Sequence, residues 1–263
     1  MTASLSETFT ILEDGSSTSA RGFRAAALAA GIKASGKPDL GIWASDAPCV
    51  ATATFTQNAF PAAPVILSRE RLRANPSAQA VVFNAGNANA CNGQQGLADA
   101  RETANLAAQQ LSIPADLVLA ASTGIIGQPM PMDLVRAGIP RLQVRPDGGH
   151  DAARAIMTTD TRPKEYAVGL DIGGREVRIG GMTKGVGMIY PNMATMLAFI
   201  GTDASLDPAF AASALKRVVD RTFNMITVDG DTSTNDSCFL LANGLSGGRT
   251  RLREKSSISN KIR

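Results

Sequence analysis

Apolar residues recur along this chain with two periods that alternate from segment to segment. Apolar or alternating runs predict strands at Val50 to Thr56, Ala80 to Asn84, Leu117 to Ser122, Glu176 to Gly180 and Met196 to Thr202, because strand side chains repeat every two residues. Leu97, Ala100, Ala104, Ala107, Ala108 and Leu111 are instead spaced by three and four, which puts them on one face of a helix. A second helix is predicted to start at Asp207-Pro208. Aspartate caps free N–H groups there, and proline fits the first helical position, whose N–H has no partner anyway. Ala211, Leu215, Val218 and Val219 form its apolar side. A mixed α/β protein is predicted up to about Gly244, with no repeat and no low-complexity tract.

Beyond that point the pattern stops. Residues 246–263 hold three large apolar residues and no stripe of either period. Such a segment cannot bury enough surface to offset its ordering entropy and is expected to be a disordered basic tail, distinct from a folded region 1–245. It also changes the reading of charge. The chain has 26 bases and 23 acids, but six of those bases and one of those acids lie in the tail. The remainder carries 20 against 22, so the folded body is near neutral despite a pI of about 8.9. With aromatics at 5% and no basic patch interleaved with them, no nucleic-acid partner is expected.

At 263 residues, 44% hydrophobic and 19% charged, the composition is that of a globular domain with a substantial core. No apolar run reaches the ~18 residues of a membrane helix, and Met1 to Glu7 lacks the features of a signal peptide, so a cytoplasmic location is expected. Cys49, Cys91 and Cys238 are odd in number and widely spaced, which suits inert buried thiols rather than disulfides or zinc. His150 follows Gly148-Gly149 and opens a helix-like segment, where a solvent-facing or capping role is expected rather than one in a catalytic triad. Gly31 to Lys37 has the glycines and lysine of a phosphate loop. Pro38 then stands where magnesium's Ser/Thr and a helix start are needed, so a solvated turn is expected.

Candidate chemistry concentrates at the ends of predicted strands. In Lys184 to Leu197, a Gly- and Pro-kinked stretch ends in Ala194-Thr195, just before an apolar strand. A threonine hydroxyl is a weak nucleophile until a base takes its proton. Cutting the chain before Thr195 supplies one, the freed α-amine. Ser122-Thr123-Gly124 ends another strand, where a glycine allows close backbone approach and free N–H groups can hold an oxyanion. Met157-Thr158-Thr159-Asp160-Thr161 offers hydroxyls to a polar substrate. Asn84 to Gly93, with four asparagines, reads equally as an irregular turn or as amides converging on a site. Val228 to Ser237 lacks the calcium-loop spacing and is expected to be a turn that buries hydrogen-bonded polar groups beside the site.

Taken together, these segments resemble the ornithine acetyltransferases of arginine biosynthesis, also called glutamate N-acetyltransferases. The resemblance rests on Gly22-Phe23-Arg24-Ala25-Ala26, Ala62-Ala63-Pro64-Val65, Asn84 to Cys91, Ser122 to Gly127, Met157 to Thr161, Lys184 to Leu197 and Asp229 to Asp236, in order between about residues 22 and 244. It implies an αββα sandwich similar to the N-terminal-nucleophile hydrolases. It also implies self-cleavage between Ala194 and Thr195, giving fragments of 194 and 69 residues held together as an α/β hetero-oligomer. Thr195 would be the nucleophile, Thr123 and Gly124 would stabilise the oxyanion, and Thr158, Lys184 and Thr195 would bind substrate.

The activity implied is ping-pong transfer of acetyl from N-acetylornithine to glutamate through acetyl-Thr195. No metal or organic cofactor and no membrane partner are implied, and some relatives take acetyl-CoA as donor. The family's further C-terminal region, with its Glu-Gly-X-Thr-Lys type motif, has no counterpart after Leu245. The sequence therefore leaves two readings: an acetyltransferase, or a C-terminally truncated, inactive fragment of one. A related self-processing aminopeptidase would favour serine, and Thr195 speaks against it.

Overall fold

The computed structural model describes residues 9–188, 196–247 and 252. In chain order the strands and helices begin β1 (Phe9–Ile11), β2 (Phe23–Leu28), β3 (Leu40–Phe55), α1 (Ala63–Ala74), β4 (Ser77–Asn87), α2 (Gly93–Leu111) and β5 (Val118–Ile125). They continue α3 (Met132–Gly138), α4 (Gly149–Ala155), β6 (Lys164–Asp171), β7 (Glu176–Lys184), β8 (Leu197–Thr202), α5 (Pro208–Arg221) and β9 (Ser237–Ala242).

The strands form one hydrogen-bonded ladder, β1-β6-β7-β8-β9-β3-β4-β5, with β2 also paired to β3. Strand β3 serves two layers. Leu40 to Ser45 pair with β2, and Val50 to Phe55 pair with β9. Its pairing with β4 slips between Ala44 and Cys49. This stretch contains Pro48, which cannot donate to a ladder and is tolerated where pairing breaks.

The layers meet face to face through aromatics. Trp43 and Phe83 of the first layer approach Phe199 of β8 with ring centroids 5.9 and 5.5 Å apart, although β8 is not their neighbour in the ladder. Phe23 stacks on Trp43 at 4.9 Å, and Ala152, Ala153 and Ala155 of α4 complete the interlayer core. Gly201 is glycine for lack of room, since a Cβ there would lie 2.7 Å from Trp43. Helices α1, α2 and α3 cover the outer face of the first layer, with Leu67, Ala104 and Val135 packing against Leu40, Val82 and Val118. Leu215 and Val219 of α5 cover Ala198 and Cys238 on the second. This is the αββα arrangement expected from the resemblance.

The predicted helices are present, and Asp207 caps α5 by accepting from the Ala209 and Phe210 N–H groups at 2.9 and 3.1 Å. Three expectations change. Cys49 and Cys238 are buried but Cys91 is exposed, because its φ of 63° places it in a left-handed turn rather than on a core face. His150 does not cap; its Nδ1 lies 2.9 Å from Glu165 and its Nε2 lies 3.5 Å from Asp14. These carboxylates, the Glu165 hydrogen bond foremost, raise its pKa. Among residues 246–263, Leu252 exchanges hydrogen bonds with Ser205 and Asp207 and packs with Leu206. One apolar side chain of the tail is thus docked where its composition predicted no packing.

Candidate active site

The ends of five strands converge. Strands β4 and β5 run parallel, with Ala85 opposite Thr123 and Gly86 opposite Gly124. In the second layer Lys184 ends β7 opposite Leu197 at the start of β8, and Leu197 lies beside Ser237 at the start of β9. A cavity of about 230 Å³ opens where these ends meet. Its walls include Thr123, Gly124, Thr158, Lys184, Ser233 and Asn235. Chain segments as distant as residues 123 and 235 therefore share one small space. The proposed nucleophile and cleavage position, Thr195 and Ala194, lie outside the described residues.

Across this space Lys184 Nζ donates to Thr123 Oγ1 at 3.2 Å, a contact between the two layers. Lys184 is only 4% exposed. Burial lowers its pKa, against the attraction of Asp160 and Asp236. Asp160 is itself tightly held, accepting from Lys164, from Gly185 N–H at 2.9 Å and from Thr158 N–H at 3.2 Å. Burial pushes the Asp160 carboxyl up, but these donors together hold it below its ordinary value. It fixes both the turn after Lys184 and the backbone of Thr158, whose side chain is exposed at the cavity wall.

The segment 233–237 is buried and tied to residues 56–62. Thr56 donates its hydroxyl to Ser233 O at 2.6 Å and its N–H to Asp236 O at 2.8 Å, and Ala62 N–H donates to Thr234 O at 2.9 Å. The turn of buried polar groups expected over 228–237 is thus present only in its second half, since 228–231 are exposed, and Asp236 of that half is the most enclosed carboxylate at the site. Asp236 is 1% exposed; its Oδ1 accepts from the Met196 N–H at 3.0 Å. Its Oδ2 has no partner among the described residues. Burial pushes this carboxyl up to about 8, against the Met196 N–H, Lys184 and Ser233.

That shift has a measurable sign. Between pH ~4, near the ordinary aspartate value, and about 8, the folded chain holds a proton on Asp236 that the unfolded chain has released. Its contribution to stability therefore declines as pH rises through that window and levels off above it. Asp236→Asn removes the decline. Its Tm relative to the wild type should rise when melting is compared at pH 5 and pH 8.5, and an unchanged difference would show that Asp236 carries no proton.

Other candidate motifs are used for support. Asn84, Asn87, Asn89 and Asn92 spend their amides on backbone carbonyls of Asn87, Gln128, Pro129 and Gly96, at 2.8 to 3.2 Å. The asparagine-rich stretch thus braces the end of β4 to the segment after β5. In the Gly31–Lys37 loop, the Asp39 carboxylate accepts from Ala30, Gly31 and Lys33 N–H groups at 2.7, 3.1 and 2.8 Å. A carboxylate of the chain occupies the donors that would have faced a phosphate. Among the described residues no group of three or more His, Cys, Asp and Glu could hold a metal. No described helix is long and apolar enough to cross a membrane.

The model of the ArgJ family matches residues 24–262. The chain is 55% identical over 237 residues to the arginine biosynthesis bifunctional protein ArgJ of Symbiobacterium thermophilum, and 52% over 251 residues to that of Synechococcus sp.. These alignments cover 89% and 94% of this chain but 59% and 60% of those proteins, so the chain spans about three-fifths of their length. The crystal structure of the Bacillus halodurans protein matches with a TM-score of 0.69 and 38% identity. Mycobacterium tuberculosis ornithine acetyltransferase, solved with ornithine, matches with 0.64 and 38%. In both, 72% of this chain covers 100% of the solved chain.

Proposed function

Because this chain belongs to the ArgJ family, we propose that it is an acyltransferase of arginine biosynthesis that carries acetyl from N-acetylornithine to glutamate. The observation that carries this reading is the cavity that joins Thr123, Gly124, Thr158 and Lys184, with the Lys184–Thr123 contact across it. Ornithine in the Mycobacterium tuberculosis structure supports an ornithine-bearing donor.

In the proposed reaction the Thr195 hydroxyl loses its proton to the α-amine freed by self-cleavage and attacks the acetyl carbonyl. Negative charge develops on the carbonyl oxygen, and the hydroxyl of Thr123 and the backbone at Gly124 are the donors suited to hold it. The amide C–N bond then breaks and ornithine leaves with the proton. Glutamate's amine attacks the resulting ester, restores the hydroxyl and departs as N-acetylglutamate. Two easier steps replace one direct exchange between amines. Lys184 and Thr158 supply a cation and a hydroxyl to the amino-acid part of either substrate.

Self-cleavage between Ala194 and Thr195 is supported by the coverage of the solved relatives. Their whole chains are matched by 72% of this one, about 189 residues, close to the 194 of the proposed first fragment. The fragments would act together as a cytoplasmic α/β hetero-oligomer, with acetyl-CoA as a second donor. A different reading, an inactive fragment of the family, is favoured by the three-fifths coverage of the curated relatives.

One preparation separates the two. Mass spectrometry of the purified chain should show pieces of 194 and 69 residues, and labelled acetyl should pass from N-acetylornithine to glutamate. A whole chain that transfers nothing would establish the inactive-fragment reading.

A further inference from the structure

At the wall of the cavity stands a residue, Asn235, with one buried polar atom that no described residue satisfies. Asn235 lines the cavity and is 5% exposed. Its backbone is fixed: the N–H donates to Ser233 Oγ at 3.0 Å and the carbonyl accepts from Ser237 Oγ at 3.0 Å. Its Nδ2 donates to Thr234 Oγ1 at 3.0 Å. Its Oδ1 has no partner among the described residues. Buried side-chain acceptors are nearly always paired, and an orphan beside a cavity is a place where a ligand's donor belongs.

The other polar groups at this wall narrow the donor's identity. Lys184 is a cation and suits a carboxylate. Thr123, Thr158, Thr159, Ser233 and Thr234 carry hydroxyls, which can donate as well as accept. The Asn235 oxygen can only accept, and so it selects a group that must donate. On the reading of this site given above, that group is the substrate's amide N–H. We propose that Asn235 is a specificity-determining residue whose Oδ1 accepts the N–H of the acetylated amine, so that the site selects N-acyl amino acids over isosteres without that donor. The rigid backbone of 233–237 holds this oxygen in place before substrate arrives, and the anchors at Thr56 and Ala62 keep it there.

The test compares two ligands on the full chain by titration calorimetry. One is N²-acetyl-L-ornithine; the other is its ketone isostere, with a methylene in place of the amide N–H. The wild type should favour the amide by on the order of tenfold to a hundredfold, the usual cost of leaving a buried acceptor without its partner. Asn235→Leu, which removes the orphan, should bring the two affinities to within about threefold of each other. Asn235→Asp retains an acceptor oxygen and should retain the preference, a rescue that a purely structural role would not give. Thermal melting checks that each variant is folded, and Asn235→Ala replaces the leucine variant if that one is not. Equal preference in wild type and Asn235→Leu, or no preference in the wild type, overturns the assignment while leaving the acetyltransferase reading intact. A wild-type chain that binds neither ligand overturns both.

Discussion

Thr195→Ala is expected to leave the chain whole and to reduce acetyl transfer by about 10⁴-fold or more, the scale seen when a nucleophile is removed from residues that act as a unit. The hydroxyl is needed twice on the proposed reading, first against the Ala194 carbonyl and then against the acetyl carbonyl. Thr195→Ser separates these demands from bulk, since serine retains the oxygen and should still cut. Fragment masses and labelled-acetyl transfer report the two steps independently. A Thr195→Ala chain that is still cut at the same bond, or still transfers acetyl at the wild-type rate, would remove this residue from the mechanism.

Gly124→Ala should be nearly as damaging, for reasons already visible in the backbone. Gly124 has φ +134°, a conformation that residues with a Cβ rarely adopt. A Cβ placed there would lie 2.3 Å from the carbonyl carbon of Gly86 and 2.5 Å from Asn87 N. These are backbone atoms of the adjacent parallel strand, so no side chain can swing aside. β5 would have to part from β4 where Thr123 accepts from Lys184. We expect transfer to fall by ~10²–10³, comparable to loss of an oxyanion donor. Forcing the backbone should also cost about 1–3 kcal/mol of stability. Steady-state kinetics and thermal melting check both, and a variant with wild-type turnover and Tm would show that the strand ends have slack.

How much of this was legible in the sequence differs from element to element. Helices α2 and α5 were readable because their apolar faces have a clean period and Asp207 is a strong local signal. The cores of β4, β5, β7 and β8 were readable as apolar runs. The first half of β3 was not, since Asp46 and Pro48 interrupt it and only its service to two layers keeps one strand continuous. Strand β6 and helix α1 were also missed. The alternation in β6 is diluted by Lys164, Glu165 and Asp171, and α1 has many charges and little periodic apolar signal.

At the site, the reading of 228–237 as a buried polar turn came from composition, and it holds for 233–237 but not for the exposed 228–231. The proposed oxyanion role of Thr123 and Gly124 and the proposed substrate hydroxyl of Thr158 were suggested by residue type at element ends and sharpened by family resemblance, whereas the proposed role of Lys184 came from the resemblance alone. That Asn235 and Asp236 would each keep an oxygen without a partner among the described residues could not be read at all. Their burial depends on contacts with residues 56–62, some 170 positions away, and no local spacing encodes it.

The ladder order carries a last implication for a chain divided ahead of Met196. Strands β8 and β9 belong to the later piece, yet they are inserted between β7 and β3 of the earlier one, bonded on both flanks. Such a piece is woven in like a weft thread rather than attached at a margin. Severing one peptide link would leave its grip undiminished, and prying it free would mean tearing open the middle of the molecule.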